Sequence, residues 1–364
     1  MLASPDLLPE MDLIRRCART EIDDEMRQAI CSQVEGGVEW KRLQAFAGYH
    51  RVLPLVSSSL IAACGDGLPG KLAEWFRKQS FATASFNLML LKELVHLIHL
   101  MDVEEIPVMV FKGPLFSEEV YGHIGLRQSS DIDLLVRSAD VGRVEAILGQ
   151  NGYMPAGRPD RRLVRRWYAH NEGQYAYLHR GRLWSLDLHT RVMPRGYAVP
   201  GDFDGLWETS REVAVNGTVA RTPGEVEMLL TLCLHGTKER WQELKNVCDV
   251  AEYLRSHPAL DGEAVVRLAR SIQCERILYL GLYLARNLLD APVPEVLAER
   301  MDTEPTVKAL AGPIIRDLMR GRTEFLKPKE RFRYFYAVQD TPVHRARYAT
   351  YVFFRRLVER LNTN

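Results

Sequence analysis

The sequence predicts an α+β fold in which a small mixed β-sheet forms a core between two helical regions. Apolar residues recur at helical spacing through the first 105 residues and again from residue 223 onwards. Between these regions they form short runs rich in Val, Ile and Leu, separated by Gly and Pro, which is typical of strands. We therefore predict a helical region at 1–105, an α/β core at 106–222 and a helical domain at 223–364.

The N-terminal region is predicted to contain several helices and to end in a long one. Residues 9–34 carry apolar side chains at helical spacing, and shorter helices follow over 37–64. The periodic segment 71–101 is one long helix or two stacked pieces, and it ends before Ile106-Pro107. This helix leads directly into the first predicted strand.

The core is predicted to alternate strands and helices and to end in two hairpins. In the first hairpin a turn at Gly181 joins its strands, and in the second Asn216-Gly217 is a strong signal for a two-residue turn. The predicted strands are 108–111, 131–136, a weak one at 169–174, 175–179 paired with 184–191, and 212–215 paired with 219–221, with helices at 115–121 and 139–151.

The C-terminal domain is predicted to be helical throughout. Thr222 is the expected N-cap of its first helix and Pro223 the expected first helical residue, because proline is favoured where the backbone N–H has no partner. The predicted helices are 223–236, 241–256, 262–273, 276–290, 305–320 and 329–360.

Composition excludes some classes of protein. A net charge of +1 creates no overall field that would attract a polyanion, which argues against a long nucleic acid as a partner. The six cysteines form no CxxC pair, so free thiols are expected in place of a zinc site or a disulfide framework. The N-terminus has no basic segment followed by an apolar one, and no apolar run reaches 18 residues, so a cytoplasmic protein without a membrane partner is expected.

Two carboxylates stand out in the predicted strand 131–136. Asp131 and Asp133 share one face of the strand, about 7 Å apart, because side chains alternate. Such a pair repels itself and loses hydration unless a cation lies between its members. Mg²⁺ suits the position, since it takes one or two carboxylates together with substrate phosphates. The alternative is a pair of solvated carboxylates on an edge strand.

Asp187 is the best candidate for a third acidic residue. It lies in Ser185-Leu186-Asp187-Leu188-His189, where Asp187 and His189 share one strand face and the two leucines the other. Two-metal catalysis needs further ligands and a way to activate the attacking hydroxyl, which Asp187 could supply. The alternative is the outward face of a half-buried hairpin. His189 could orient a ligand, contact a phosphate or lie on the surface.

Basic residues flank the acidic pair. Lys112-Gly113 ends the first strand, where glycine permits close approach to a phosphate and a helix N-terminus attracts anions. Arg127 precedes Asp131 by four residues and could bind phosphate or form an ion pair with Asp131 or Asp133. Lys112 could otherwise extend to solvent at a strand end. Ser117 is a weaker phosphate-binding candidate.

Two further polar sets allow both a functional and a structural interpretation. His235, Trp241, Lys245 and Asp249 could hold a nucleotide base and ribose, or could dock the C-terminal helices onto the core, and we favour docking. The run Arg158–Trp167 combines arginines with aromatic residues, which suits single-stranded nucleic acid, but a solvated arginine face is the commoner explanation.

The chain resembles the bacterial nucleotidyltransferase-5 type family of the DNA polymerase β-like nucleotidyltransferase superfamily over about residues 80–255. The resemblance implies a small mixed sheet, Mg²⁺ held by Asp131 and Asp133, Asp187 as the third acidic position, and a nucleoside triphosphate donor. The residues that carry it are Lys112-Gly113, Arg127, Ser130-Asp131-Ile132-Asp133-Leu134-Leu135-Val136, Gly152-Tyr153, Asp187-Leu188-His189, His235, Trp241, Lys245 and Asp249.

The sequence departs from the superfamily pattern at one position. Gly113 is followed by Pro114 and not by the usual Ser, so Lys112 or Arg127 is expected to take over part of the phosphate binding. The predicted phosphate- and nucleotide-binding residues are Lys112, Gly113, Arg127, Ser130, His189 and Lys245.

These features together predict a nucleotidyltransferase that uses two Mg²⁺ ions. It is expected to move a nucleoside monophosphate from a triphosphate to an acceptor hydroxyl and to release pyrophosphate. The acceptor is unknown and could be a small molecule, a peptide or protein, or RNA. The alternative function is a catalytically inactive nucleotide-binding scaffold, and sugar-nucleotide glycosyl transfer is disfavoured because the first 105 residues look helical and not doubly wound.

Overall fold

A computed structural model describes residues 8–157, 162–197, 205–321 and 327–363. It confirms the α+β prediction, with a small mixed sheet and helices on both sides in sequence. The helices are α1 (Pro9–Cys17), α2 (Asp24–Glu35), α3 (Trp40–Tyr49), α4 (Leu53–Cys64), α5 (Gly70–Val103), α6 (Gly113–Tyr121), α7 (Val141–Gln150), α8 (Arg162–Asn171), α9 (Glu225–Lys238), α10 (Leu244–Ser256), α11 (Gly262–Ser271), α12 (Glu275–Leu289), α13 (Glu295–Thr303), α14 (Pro305–Met319), α15 (Pro328–Ala337) and α16 (Pro342–Thr363).

The central sheet has five strands in the order β1-β2-β5-β4-β3. Strands β2 and β5 run parallel at its centre, and every other neighbouring pair is antiparallel. A separate two-stranded hairpin follows. The strands are β1 (Val108–Val110), β2 (Asp131–Val136), β3 (Tyr153–Pro155), β4 (Gln174–His179), β5 (Ser185–His189), β6 (Arg211–Val215) and β7 (Thr218–Thr222).

The parallel pairing of β2 with β5 determines which side chains meet. Asp133 lies opposite Asp187 in the register, and Asp131 lies opposite Ser185. Because side chains alternate, the intervening Ile132 and Leu186 point to the other face, where they are buried. The acidic residues of both strands therefore lie on one face of the sheet, and the apolar residues on the other.

Two hydrophobic clusters form the interior. The first joins α1–α4 to the C-terminal helices α9–α16, so the two ends of the sequence share one core. The second packs the last half of α5 against the sheet, and it includes Leu94, Leu97 and Ile98 of α5 together with Ile132 and Leu134 of β2. The predicted division at residues 105 and 222 stays a prediction, although apolar packing crosses both boundaries.

Helix α5 forms one continuous helix of 34 residues, the first of the two predicted alternatives. By length and composition alone it could cross a membrane, and 39% of its most apolar 18-residue window is buried. The core helix of a soluble protein meets the same criterion. The absence of a membrane partner stays a prediction.

Several predicted boundaries are wrong. The weak strand at 169–174 is absent, because α8 continues to Asn171 and β4 begins at Gln174. Of the run Arg158–Trp167, residues 158–161 and the side chains up to residue 166 lie outside the described residues. Thr222 is not an N-cap, since it ends β7 and Gly224 occupies the cap position of α9.

The last predicted helix, 329–360, is in fact two. Helix α15 ends at Ala337 and α16 begins at Pro342. Proline lacks a backbone N–H and disfavours helical backbone in the residue before it, so the break falls there. The sequence prediction also missed α13.

The turn between α9 and α10 is built around Trp241. Its backbone and that of Arg240 have φ values of 55° and 56°, a left-handed region that residues other than glycine rarely adopt. The indole is fully buried and packs on Gly236 of α9 and Gly281 of α12. A Cβ at Gly236 would lie 2.4 Å from the ring, so only glycine leaves room for Trp241 there.

The packing of Trp241 on Gly236 yields a test of stability. Gly236→Ala should lower the free energy of unfolding by about 1–3 kcal/mol, because the added methyl overlaps the indole. Gly149→Ala is the matched control: this glycine of α7 has no atom within 4 Å of a built Cβ, so alanine should be neutral or stabilising by up to about 1 kcal/mol. Urea denaturation measures both, and equal effects would contradict the packing.

His50 holds the start of α10 from the N-terminal helices. The backbone N–H of Leu244 donates to His50 Nδ1 at 3.3 Å, and that of Lys245 donates to the His50 carbonyl at 3.2 Å. No side chain of the helix itself caps it. His50 is completely buried, and burial lowers the pKa of its imidazole to about 4.

The buried His50 predicts a loss of stability in mild acid. In the unfolded chain this imidazole binds a proton near pH 6.5, whereas in the folded protein it binds one only near pH 4. The free energy of unfolding should therefore fall by about 3 kcal/mol as the pH falls through this window. His50→Asn keeps an acceptor near Nδ1 but does not titrate. Its unfolding free energy should fall less between pH 6.5 and pH 4 than that of the wild type, and parallel curves would refute the assignment.

Candidate functional site

A polar cavity of about 190 Å³ lies between the acidic face of the sheet and helices α9 and α10. The β2–β5 pair forms its floor, the start of α6 and the loop before β2 form one side, and the two helices cover it. Lining residues come from every one of these elements, and they include all nine residues predicted as site residues: Lys112, Gly113, Arg127, Ser130, Asp131, Asp133, Asp187, His189 and Lys245.

The acidic floor brings together Asp133, Asp187 and His189. One potential ligand atom from each lies within 4.8 Å of the others, which is close enough for one ion. Asp131 lines the same cavity but is not in this close group. The predicted trio of aspartates therefore shares a cavity, and the tightest set contains His189 in place of Asp131.

Hydrogen bonds hold each of the two close aspartates. His189 Nε2 is 3.0 Å from Asp133 Oδ1. Burial alone would raise the pKa of Asp133, but the His189 bond and the Lys112 charge outweigh burial and hold that pKa well below its usual value. The Gln174 amide donates to Asp187 Oδ2 at 2.7 Å, while burial, with Asp133 and Asp131 nearby, raises the pKa of Asp187.

This donor set fits a divalent cation. Two carboxylates from adjacent strands repel each other at this distance, and a cation between them removes the repulsion. Carboxylate oxygens suit Mg²⁺, and an added imidazole nitrogen also suits metals such as Mn²⁺. Asp133, Asp187 and His189 are the residues that would hold the ion, with Asp131 beside them.

Lys112 is a buried cation without a counter-ion in direct contact. It is 5% exposed, and within the described chain its ammonium makes no hydrogen bond or ion pair, lying instead 5.3 Å from the centre of the Phe111 ring. Burial lowers its pKa to about 8, with Lys238 and Arg127 adding to the effect against the pull of Asp133. An anionic ligand would restore full charge to this lysine.

The start of α6 adds backbone donors next to Lys112. Gly113 has a φ of 76°, which only glycine adopts freely, and a Cβ there would approach the carbonyl of Asp131 to 3.7 Å. Pro114 follows at the second helical position, where no N–H is needed. Helix N-termini bind phosphate because their first N–H groups are free.

Arg127 forms an ion pair with a different acid from those predicted. Its Nε and Nη2 donate to the two carboxylate oxygens of Asp249 on α10, at 2.7 and 2.9 Å, and Tyr121 Oη donates to the same carboxylate at 2.6 Å. The alternative given from the sequence, an ion pair of Arg127 with Asp131 or Asp133, is therefore wrong. Burial alone would raise the pKa of Asp249, but the charge of Arg127 outweighs burial and lowers it.

The second polar set from the sequence divides between several roles. Asp249 docks α10 onto the core through Arg127, as favoured from the sequence. Trp241 precedes α10, which begins three residues later than predicted, and belongs to the apolar interior. Lys245 and His235 line the cavity. Burial, with Arg127 and Arg51 nearby, lowers the pKa of Lys245 to about 8.

Sequence reasoning missed several residues of the cavity and misplaced another. Arg51, Gln174, Lys238 and Asn246 line it, and Lys238 Nζ donates to Gln174 Oε1 at 2.7 Å, which links α9 to the Asp187 carboxylate. Lys238 could have been found, since it lies one helical turn after His235. The prediction for Ser117 is wrong, because its buried hydroxyl donates to the carbonyls of His123 and Ile124 away from the cavity.

Comparison with protein families assigns the chain. A family model described as uncharacterised nucleotidyltransferase matches residues 36–290. The chain belongs to this nucleotidyltransferase family. The match extends the predicted resemblance in both directions, from the residue after α2 to the end of α12. Comparisons with curated proteins and with solved structures found no significant match.

The buried Arg127–Asp249 pair of this nucleotidyltransferase predicts a large stability effect. Arg127→Met should cost about 3–5 kcal/mol, because it leaves the Asp249 carboxylate buried without its partner. The control is Arg211→Met, which breaks a part-exposed pair with Glu119 (2.8 Å) and should cost at most about 1 kcal/mol.

Denaturant unfolding of both variants provides the measurement. The combined variant Arg127→Met/Asp249→Leu should recover part of the loss, since no buried charge then remains unpaired. Similar losses in Arg127→Met and Arg211→Met would show that the Asp249 pair does not hold α10 to the core.

Proposed function

We propose that the protein is a Mg²⁺-dependent nucleotidyltransferase that moves a nucleoside monophosphate from a nucleoside triphosphate to an acceptor hydroxyl and releases pyrophosphate. One observation carries the proposal: in a chain of a nucleotidyltransferase family, a carboxylate pair lines one small polar cavity together with a buried lysine that has no ion-pair partner among the described residues. A metal–triphosphate complex needs both features. The proposal includes a cytoplasmic location. It also includes membership of a bacterial family within the DNA polymerase β-like nucleotidyltransferase superfamily.

The acids have separate parts in this reaction. Asp133, Asp187 and Asp131 would hold two divalent ions, with His189 either orienting Asp133 or joining it as a ligand. Bound divalent ions neutralise the triphosphate and lower the pKa of the attacking hydroxyl. Asp187, whose pKa is raised by burial, is the residue proposed to draw the proton from that hydroxyl at its carboxylate.

The basic side of the cavity would bind the triphosphate. Lys112 and Lys245 are buried cations whose pKa values are lowered chiefly by burial, and Lys245 has only a long ion pair with Glu243, at 3.9 Å. Gly113 and the first N–H groups of α6 add backbone donors. Two nitrogens of Arg127 already donate to Asp249, so Arg127 would contribute its charge near the phosphates and not a bidentate hydrogen bond to them. These cations stabilise the charge that grows on the leaving pyrophosphate.

Ser130 is proposed to replace the missing hydroxyl after Gly113. It lines the cavity directly before Asp131, so its side chain is available to a phosphate oxygen. The Gly113-Pro114 departure is also the observation that favours the second candidate, an inactive nucleotide-binding scaffold. The two functions differ in turnover and not in nucleotide binding.

The proposal is tested by removing single carboxylates. Asp133→Asn and Asp187→Asn should each lower turnover by on the order of 10²-fold or more. Each variant loses a carboxylate charge that would hold a divalent ion beside the triphosphate. His189→Asn should weaken Mn²⁺ binding by about 10–100-fold through loss of its support to the ligands. Asp102→Asn, an exposed acid of α5, is the control.

Two measurements separate the candidate functions. Calorimetry with Mg²⁺, Mn²⁺ and each triphosphate reports binding, and release of pyrophosphate with transfer of an α-³²P label to an extract of candidate acceptors reports catalysis. Binding without product from any acceptor supports the scaffold. Wild-type turnover in Asp133→Asn or Asp187→Asn would overturn the proposed mechanism.

A further inference from the structure

One wall of the cavity carries neutral hydrogen-bonding groups that the proposed phosphate and metal chemistry does not use. Thr231 and His235 lie one turn apart on α9, and Asn246 lies in the first turn of α10. Charged residues lie beside them: Lys238 on α9, Lys245 on α10, and Glu239 and Glu243 in the turn between the two helices. Thr231, His235 and Asn246 form the neutral wall, and the proposed reaction gives these three side chains no role.

Two members of the neutral wall are buried without partners. Both amide atoms of Asn246 lack a hydrogen bond in the described part of the protein, and the residue is only 3% exposed. The hydroxyl of Thr231 is equally without a partner and has no exposed surface. Buried polar groups are nearly always satisfied in folded proteins, so these side chains are expected to meet a ligand group after a small rotation.

His235 supplies the accessible member of the wall. Its side chain is part-exposed towards the cavity, and its ring nitrogens make no hydrogen bond with any described residue. Burial, together with Lys112, Lys238, Lys245 and Arg127 around it, lowers its pKa well below the usual value. The imidazole is therefore neutral, with one donor and one acceptor to offer.

The wall matches hydroxyl groups better than phosphate or a base. A phosphate oxygen only accepts, so it would leave the amide oxygen of Asn246 and one ring nitrogen of His235 unsatisfied, whereas a hydroxyl both donates and accepts. A base needs a flat stacking surface. Among Phe, Tyr and Trp, only Phe111 lines the described cavity, and its ring already contacts His189 and Lys112.

The position of the wall indicates which hydroxyls it meets. His235 is three residues before Lys238 on α9, and Asn246 directly follows Lys245 on α10. Side chains three apart on a helix are neighbours, about 5–6 Å apart. Lys245 and Asn246 are adjacent in the helix and do not share a face, but both line the cavity, as His235 does. A sugar joined to a phosphate that Lys245 binds would therefore lie in the same small cavity as His235 and Asn246.

We propose that Thr231, His235 and Asn246 bind the ribose hydroxyls of the donor nucleotide and so select ribonucleotides over deoxyribonucleotides. The inference rests on the proposed function, because it assigns one part of the same triphosphate. The proposed donor substrates are ribonucleoside triphosphates, whichever base they carry.

Equilibrium binding to the full chain tests this selection without an acceptor. Calorimetry with Mg²⁺ should show ATP binding about tenfold or more tighter than 2′-deoxy-ATP or 3′-deoxy-ATP, because a site that hydrogen-bonds a hydroxyl rejects the analogue that lacks it. Thr231→Val, nearly equal in shape, and His235→Leu should reduce this preference by weakening ATP binding alone. His235→Gln, which keeps a donor and an acceptor, should retain part of it.

Lys245→Met is the matched control, since loss of a phosphate-binding charge should weaken ATP and both deoxy analogues by the same factor. Thermal unfolding confirms that each variant is folded. If His235→Leu does not fold, Thr231→Val alone tests the assignment. Equal affinity of the wild type for ATP and the deoxy analogues overturns the ribose assignment alone. Absence of binding by every triphosphate overturns the proposed function, and an unchanged preference in Thr231→Val and His235→Leu overturns the assignment of these residues.

Discussion

The parallel pairing of β2 with β5 is the constraint on which the site depends. It places Asp133 opposite Asp187 and, through alternation, puts the acids on one face and the leucines on the other. A slip of one residue would bury the carboxylates under α5 and expose Leu186 and Leu188. The apolar face that packs against α5 therefore holds the acids in register, and the fold and the metal-binding geometry have the same cause.

The second requirement is that α10 stays over the sheet. Arg127 and Asp249 join it to the loop before β2 in a fully buried pair, and His50 holds its first N–H groups from the N-terminal helices. Both contacts are polar and buried, so they define a position more narrowly than apolar packing does. They bring Lys245 and Asn246 to the cavity beside Lys112, where the cations face the carboxylates across a space small enough for strong interaction.

Local pattern was enough to predict much of this protein. The strand 131–136, the second hairpin around Asn216-Gly217 and the long helix α5 follow from periodicity and turn chemistry, and the structure contains them. Errors came where neighbours compete with local preference. Thr222 pairs with Arg211 in the β6–β7 hairpin instead of capping a helix. Arg127 forms an ion pair with Asp249, which is 122 residues away and which no local sequence pattern could predict.

The sequence by itself determined the α+β class, the acid-bearing strands and the lysine–glycine turn, because these depend on the order of residues over a few positions. Only the tertiary structure decided that His189 joins Asp133 and Asp187, that Lys112 is buried without a partner in the described ranges, and that Thr231, His235 and Asn246 form a neutral wall. The reason is physical: charge compensation, burial and hydrogen-bond satisfaction are set by what packs nearby, and here the nearby groups come from segments as distant in the chain as Lys112 and Asn246.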